Sequence, residues 1–429
     1  MPIGSARGLS ADSQGSVAIL MAFVLTALIG VAALGIEASA WLMTRHTLQN
    51  AADTAALAAA MNGRLNYDTE AKAVTALYGI TYGINGVTVT PSNTALCPSG
   101  GSNCYSVTIT QTVPLFLTPV VGYMGDVVVN GENRVALTAT AVASRANDYC
   151  VLALASSGAE GIHTNGAPKA NLAGCNIMSN TSATCNGHNL NADIGDAHGT
   201  NTNCGTVQES YVSVVTDPYS QLAQRIPADN CTVYPQEPSK RGTQLPASNL
   251  WSGTYSKVGT QIICGDLQLT GDVTLNGTGS MLLVIVNGQL DLNGYTLQTA
   301  SGTGVTIAFT GSSSSGYTHA PTGSGTLDIA PPATGPWAGV AIYQDPSLTS
   351  GVDISAAGNS PTWDITGLVY LPHASVTFSG AVNKSSNGTS CFVLVVDNLL
   401  INGTGSILSH SGCGSAGLVM PVGRSKLLN

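Results

Sequence analysis

Residues 17–36 read VAILMAFVLTALIGVAALGI, twenty consecutive uncharged and mostly apolar residues, and residues 48–60 read LQNAADTAALAAA. At about 1.5 Å per residue the first stretch makes a helix of roughly 30 Å, the thickness of a hydrocarbon core. Everything after it then lies on one side of a membrane. The run is longer than the roughly 7 to 15 residues of a signal-peptide core, although Ala38-Ser39-Ala40 offers that competing reading a small-residue cleavage site. Beyond Glu37 the composition of Ala, Leu, Met, Gln and Arg favours continued helix to Met61.

Two rows of small residues lie along this helix. Ala18, Ala22, Thr26 and Gly30 recur every four residues within the apolar run, the spacing that lets two helix backbones meet in lipid. Leu48, Ala52, Ala55 and Ala59 form a flat stripe further on. Both rows are expected to pack against partner helices, including a second copy of this chain, although alanine-rich helices also produce such rows by chance. Glu37, just past the apolar run and close to Trp41, reads either as a solvated boundary residue or as a group that pairs with a partner subunit.

All ten cysteines lie beyond the apolar run. An even count on one side of a membrane suits an oxidising compartment, so the amino terminus is expected in the cytoplasm and the bulk of the chain outside it. Charged residues are 9% of the chain against about 25% in an average soluble protein, and the net charge is -9. Fourteen scattered Lys and Arg residues supply no basic patch, which excludes nucleic acid as a partner.

A second short helix is expected over 68–82, followed by alternating strands over 87–90, 105–110 and 127–142, which together make a small α+β module. Cys97 and Cys104 bracket CPSGGSNC, a turn-rich tip that brings their ends together for a local disulfide. The other eight cysteines allow 105 pairings.

From about Tyr149 short apolar strands alternate with Gly, Asn and Ser. The strongest are centred on Val284, Ile307, Ala341, Val369 and Leu394, which are 23, 34, 28 and 25 residues apart. A second, alternating strand follows most of them. An irregular repeat of this length without helices is what one coil of a parallel β-helix requires. The expected fold is therefore mainly β: a transmembrane helix and small α+β module followed by a right-handed parallel β-helix, with a β-sandwich as the alternative. The expected boundaries are a cytoplasmic terminus at 1–16, an anchor at 17–40, the module at 41–147, the β-helix at 148–415 with a loop insertion at about 206–262, and a tail at 416–429.

The glycine-led apolar helix, Glu37, and the string Leu48, Gln49, Ala51, Asp53, Ala56 and Leu57 together resemble the amino-terminal segment of the TadE/TadG-like proteins of Tad (Flp) pilus assembly. The likeness is firm over about fifty residues. Weaker likeness to TadG-related proteins extends to Cys150–Leu154, Asp217–Leu222 and Gly339–Asp345. It implies a bacterial inner-membrane protein whose periplasmic part acts as a scaffold or docking element, with other pilus-assembly proteins as partners. Two features depart from that group. The fifth residue after Gly15 is Leu20 where pilin-like members carry glutamate, so prepilin cleavage is not expected; Asp353-Ile-Ser-Ala-Ala357 lacks the second serine of a DxSxS metal site, so no bound Mg²⁺ is expected there.

Other chemistry is sparse. His188, Asp193, Asp196 and His198 form the densest polar group, which could ligate a divalent ion but lacks helical spacing and reads as exposed turn residues. Asp328, Asp345, Asp353 and Asp364 are the carboxylates that a polysaccharide-cleaving β-helix would use, yet their spacing is irregular and basic partners are scarce. No phosphate-binding loop, HExxH, GxSxG or CxxC is present. A non-enzymatic role without cofactor is expected, with a surface adhesin or glycan-binding protein as the alternative and an anchored polysaccharide-active enzyme third.

Overall fold

The computed structural model describes residues 14–62, 66–98, 103–158, 160–166, 170–238, 244–349, 352–356, 362–378, 382–383, 391–402, 405–406, 413 and 417–428. The chain divides into two units, residues 1–146 with 425–429, and residues 147–424.

Unit 1 is built on one uninterrupted helix, α1 (Gln14–Asn62), followed by α2 (Tyr67–Leu77) and the strands β1 (Val87–Ala95), β2 (Cys104–Pro114), β3 (Val127–Val129) and β4 (Glu132–Ser144). β1, β2 and β4 pair antiparallel in that order. Residues 127–142, expected as one strand, are a hairpin. Asn130 and Gly131 both take positive φ, and Asn-Gly is the pair that closes a two-residue turn. The carboxyl-terminal strand Lys426–Leu428, expected within a tail, pairs with the edge of β4. The second unit is thus inserted in sequence between two strands of the first.

The second half of α1 packs on this sheet. Leu48, Ala51, Ala52, Ala55, Ala56, Ala59 and Ala60 are fully buried with Val87, Val89, Tyr105, Val107, Ile109, Ala139, Ala141 and Ala143. Small side chains on both the helix and β4 let the two backbones approach closely, and a larger residue inserted there would overpack at about 1–3 kcal/mol.

Unit 2 is dominated by parallel strands. Its largest sheet runs, in spatial order, Val207–Ser210, Ile194–Ala197, Ile177–Ser179, Val151–Ala153, Phe392–Ile401, Gly367–Phe378, Val340–Gln344, Thr303–Thr310, Gly279–Val286 and Gly259–Cys264. Successive strands are in register through Leu283, Ile307, Ile342, Val369 and Leu394, at steps of 24, 35, 27 and 25 residues. The ladder continues from Leu394 to Val151 and then Ile177. All seven side chains face one continuous core.

This order explains the break in the repeat. The chain enters the stack in its middle, at Val151–Ala153, runs outward to Val207–Ser210, and must return to the opposite end before climbing back to Phe392–Ile401. Entry and exit lie side by side, with Asp148 bridged to Val422. The segment expected as an insertion at about 206–262 therefore holds one strand of the largest sheet, Val207–Ser210, most of another, Gly259–Cys264, the strand Leu250–Tyr255 of the second sheet, and the connection from Val207–Ser210 back to the far end of the stack. That connection covers the outer face of the sheet: Val215, Tyr219, Leu222, Ile226 and Tyr234 pack on Leu152, Met178, Val284, Val286, Tyr343, Tyr370 and Val395. Covered on both faces, these strands carry continuous apolar runs such as MLLVIV instead of alternation. The strands of the second sheet, such as Leu267–Leu275, alternate buried and exposed residues because their other face is open.

Five disulfides join Cys97 to Cys104, Cys150 to Cys175, Cys185 to Cys204, Cys231 to Cys264 and Cys391 to Cys413. The first is the local bridge read from the turn-rich tip. Cys231–Cys264 ties the return segment to the last strand of the sheet. The same junction is clamped by buried Asp266, whose carboxylate accepts the backbone N–H groups of Glu237 at 2.9 Å and Gln289 at 3.0 Å. Gly265 takes φ +80° there, and a Cβ would lie 2.1 Å from the Pro235 carbonyl.

Burial, followed by the charges of Asp291 and Asp266, pushes the Glu237 carboxyl up to about 7 from 4.5. The folded state then holds more protons than the unfolded one across that window, so stability falls as pH rises from about 4.5 to about 7. Glu237→Gln is expected to flatten this dependence. Melting temperatures of detergent-solubilised protein at pH 5 and pH 8 test it, and equal losses in wild type and variant would contradict the assignment.

Candidate functional site

The residues singled out for partner contact lie on α1, where they fall into two environments. From Leu20 the helix is long and apolar enough to cross a membrane. Its apolar side chains point outward on all sides, among them Phe23, Leu25, Leu28, Ile29 and Val31. Ala22 and Thr26 are exposed and Gly30 half-buried, and a Cβ at Gly30 would meet nothing within 4 Å. The Thr26 hydroxyl donates back to the carbonyls of Ala22 and Phe23, both at 2.9 Å, so it needs no outside partner. Ala18 belongs to α1, but its side chain lies outside the described residues.

The second environment revises the expected partner face. Glu37, Trp41, Leu48, Ala52, Ala55 and Ala59 fall on one helical face, and that face is taken up by the chain's own unit 1. The alanine stripe meets β1, β2 and β4 because the sheet's exposed apolar face needs cover as much as the helix does. Asp53, half-buried, accepts the Gln49 side-chain amide at 2.7 Å, and the same amide reaches the Thr140 carbonyl of β4 at 3.2 Å.

Glu37 is buried at 5% exposure, although Ile36 and Ala38 beside it are exposed. Its carboxylate accepts three consecutive backbone N–H groups, from Phe116 at 2.7 Å, Leu117 at 2.9 Å and Thr118 at 2.7 Å. These belong to the connection between β2 and β3, which turns through a short 3₁₀ helix, Thr118–Val121, closed by Gly122 at φ 86°. One helical turn beyond Glu37, Trp41 packs on Tyr123 with ring centres 5.9 Å apart. The loop is therefore fastened to α1 at two points on one face. Neither expected reading of Glu37 covers this contact. The available sequence signal was the uncharged, non-alternating stretch PLFLTPVVGYMG at 114–125.

The polar group at 188–198 does not converge. His188 accepts the Leu190 N–H at 3.0 Å, Asp193 accepts the Gly174 N–H at 3.1 Å, and His198 contacts the Val212 carbonyl at 2.8 Å. Asp196, expected in an exposed turn, is buried in the outer side-chain ladder between Met178 and Glu209. It accepts the Tyr149 hydroxyl at 2.6 Å and the Asn147 amide at 2.9 Å. Burial and the Asp196 charge raise the Tyr149 phenol well above its ordinary value. Among the described residues no cluster of His, Cys, Asp or Glu is placed to hold a metal ion.

The other carboxylates are spread over both sheets. Asp328 and Asp364 are register partners on neighbouring strands of the second sheet, and burial followed by the Asp364 charge raises Asp328. Asp345 follows a strand of the largest sheet and accepts the Thr310 hydroxyl at 2.8 Å and the Ser347 N–H at 2.9 Å. It borders a cleft of about 410 Å³ that Asp229, Tyr234, Asn287 and Ser312 also line. The side chain of Asp353 lies outside the described residues.

The three segments of weaker likeness meet in unit 2. Leu152, Tyr343 and Tyr370 lie on the outer face of the largest sheet, Tyr370 donates to Asp217 at 2.5 Å, and Tyr343 donates to the Tyr219 carbonyl at 3.1 Å. A buried hydroxyl left unpaired costs about 1–3 kcal/mol, so these acceptors fix where the return segment crosses.

Residues 15–62 match the family model described as putative Flp pilus-assembly TadE/G-like. The matched residues lie within α1, including both the apolar run and the alanine stripe. No curated protein and no solved structure matches the chain. One amino-terminal apolar helix and a Tad-type segment fit a membrane-anchored protein.

Replacing Glu37 with alanine removes the acceptor of three amides. A hydrogen bond to a charged group contributes about 1.5–3 kcal/mol, so amide exchange at Phe116, Leu117 and Thr118 is expected to accelerate roughly 10- to 100-fold. Unchanged protection at those amides in detergent-solubilised protein would contradict the role given to the carboxylate.

Proposed function

We propose that this protein is a non-enzymatic scaffold or docking element of Tad (Flp) pilus assembly, held in the bacterial inner membrane by α1. Its amino terminus is cytoplasmic, and unit 2 lies in the periplasm together with the part of unit 1 beyond the apolar run. The observation that carries the reading is the Tad-type segment itself: within one continuous helix its first half is apolar and outward-facing, and its second half is the core of unit 1. Five disulfides, all beyond the apolar run, support an oxidising compartment for the rest of the chain.

In this reading the parallel stack of unit 2 is a right-handed β-helix that presents a repetitive surface to other pilus-assembly proteins of the inner membrane and periplasm. The row of exposed Ala22 and Thr26 and half-buried Gly30 is where α1 meets another transmembrane helix, including that of a second copy. A glycan-binding role is the second reading, favoured by the polar cleft beside Asp345, Asn287 and Tyr234.

Deleting the protein is expected to abolish surface pili while pilin is still made and processed, and Asp345→Ala is expected to restore them like wild type. Pili at normal number in the deletion strain contradict the assembly role. Failure of Asp345→Ala to restore pili, with loss of binding to a glycan array, favours the second reading.

A further inference from the structure

The loop that Glu37 holds is apolar and outward-facing. Phe116 is 75% exposed, Val120 85%, Val121 52% and Met124 57%. No charged residue occurs from Gln111 through Gly125. A contiguous patch of this kind on a soluble surface marks a contact with protein or membrane.

Its backbone favours lipid. Glu37 takes the N–H groups of Phe116, Leu117 and Thr118, Pro119 has none, and those of Val120, Gly122 and Tyr123 go to the carbonyls of Leu117, Pro119 and Thr118. Irregular backbone with unsatisfied donors is excluded from lipid, and six of the nine backbone donors of Leu115–Met124 are satisfied by Glu37 or by the loop's own carbonyls. A buried carboxylate near hydrocarbon is likewise costly unless its lone pairs are met, and here three donors meet them.

Its level is also fixed. Glu37 is the first residue after the twenty-residue apolar run, and Trp41 lies four residues, about 6 Å, further along the helix. The Trp41–Tyr123 pair therefore falls at the headgroup level, where such rings collect. Exposed Ile36, Leu42 and Met43 on α1 belong to the same stretch of helix.

We propose that Leu115–Met124 is a second membrane contact, a wedge clipped to α1 by Glu37 and Trp41 that seats in the outer leaflet interface of the membrane α1 spans. The proposal rests on the reading of α1 as a membrane anchor. Interfacial segments bury their apolar face by about 5–10 Å, and that is the depth assigned to Phe116 and Val120. Two contacts on one rigid helix restrict how it tilts and rotates, so the Ala22, Thr26 and Gly30 row is held in one direction for a partner.

The test uses the full-length protein in phosphatidylethanolamine–phosphatidylglycerol vesicles, with its cysteines left in their disulfides. A nitroxide is placed at Val120→Cys, at Leu28→Cys within the apolar run, and at Asn50→Cys, about 20 Å beyond Glu37 along the helix. Collision with oxygen, which concentrates in lipid, is compared with collision with a water-soluble nickel chelate. Expected is a depth at Val120 between those of the other two, at about 5–10 Å below the headgroups. A Val120 label in water while the Leu28 label is in lipid overturns the wedge and leaves the anchor standing. Labels in water at all three sites overturn both. A Val120 label shielded from both reagents places the loop against protein and also overturns the wedge.

Discussion

Three backbone amides share the carboxylate of Glu37 at the point where the apolar run of α1 ends, and the organisation of unit 1 follows from that contact. A carboxylate there must either reach water or be met by donors within the protein, and the β2–β3 loop provides the donors. Once Glu37 faces inward, helical periodicity turns Trp41, Leu48, Ala52, Ala55 and Ala59 the same way, and the small side chains of β4 complete the fit. The alanine stripe is consequently a core, and the small residues of α1 that remain outward-facing lie within the apolar run.

Much of this was legible in the sequence. Length and apolarity mark the long amino-terminal apolar helix, alternation marks β1 and β2, and the spacing of Val284, Ile307, Ala341, Val369 and Leu394 comes within a residue of the observed register steps. The errors have physical causes. A flat stripe of alanines is equally suited to a neighbouring helix or to a sheet, and periodicity cannot say which cover arrives. The burial of Glu37 has no sequence signal because its partners are backbone groups some eighty residues away, which carry no side-chain signature. Alternation on both sides of Asn130-Gly131 reads as one strand, and the turn shows only in the positive φ of that pair.

Unit 2 shows the same limit at larger scale. Its continuous apolar runs mark strands, yet nothing local reveals that the strands between Val151 and Ser210 stack beyond Phe392–Ile401 rather than beside Gly259–Cys264. That permuted order requires the return segment, and the segment in turn supplies the outer cover that those runs demand. Asp196, in a polar stretch without helical ligand spacing, reads as an exposed turn residue; it is buried because its position in the ladder follows Met178.

The central claim is that the alanine stripe of α1 is enclosed by the chain's own sheet. Thiol accessibility measures this directly in purified full-length protein with its disulfides intact. A cysteine at Ala55 is predicted to resist a water-soluble maleimide until the protein is denatured, whereas one at the adjacent exposed Thr54 reacts at once. Equal reactivity at the two positions would show an open stripe and contradict the account.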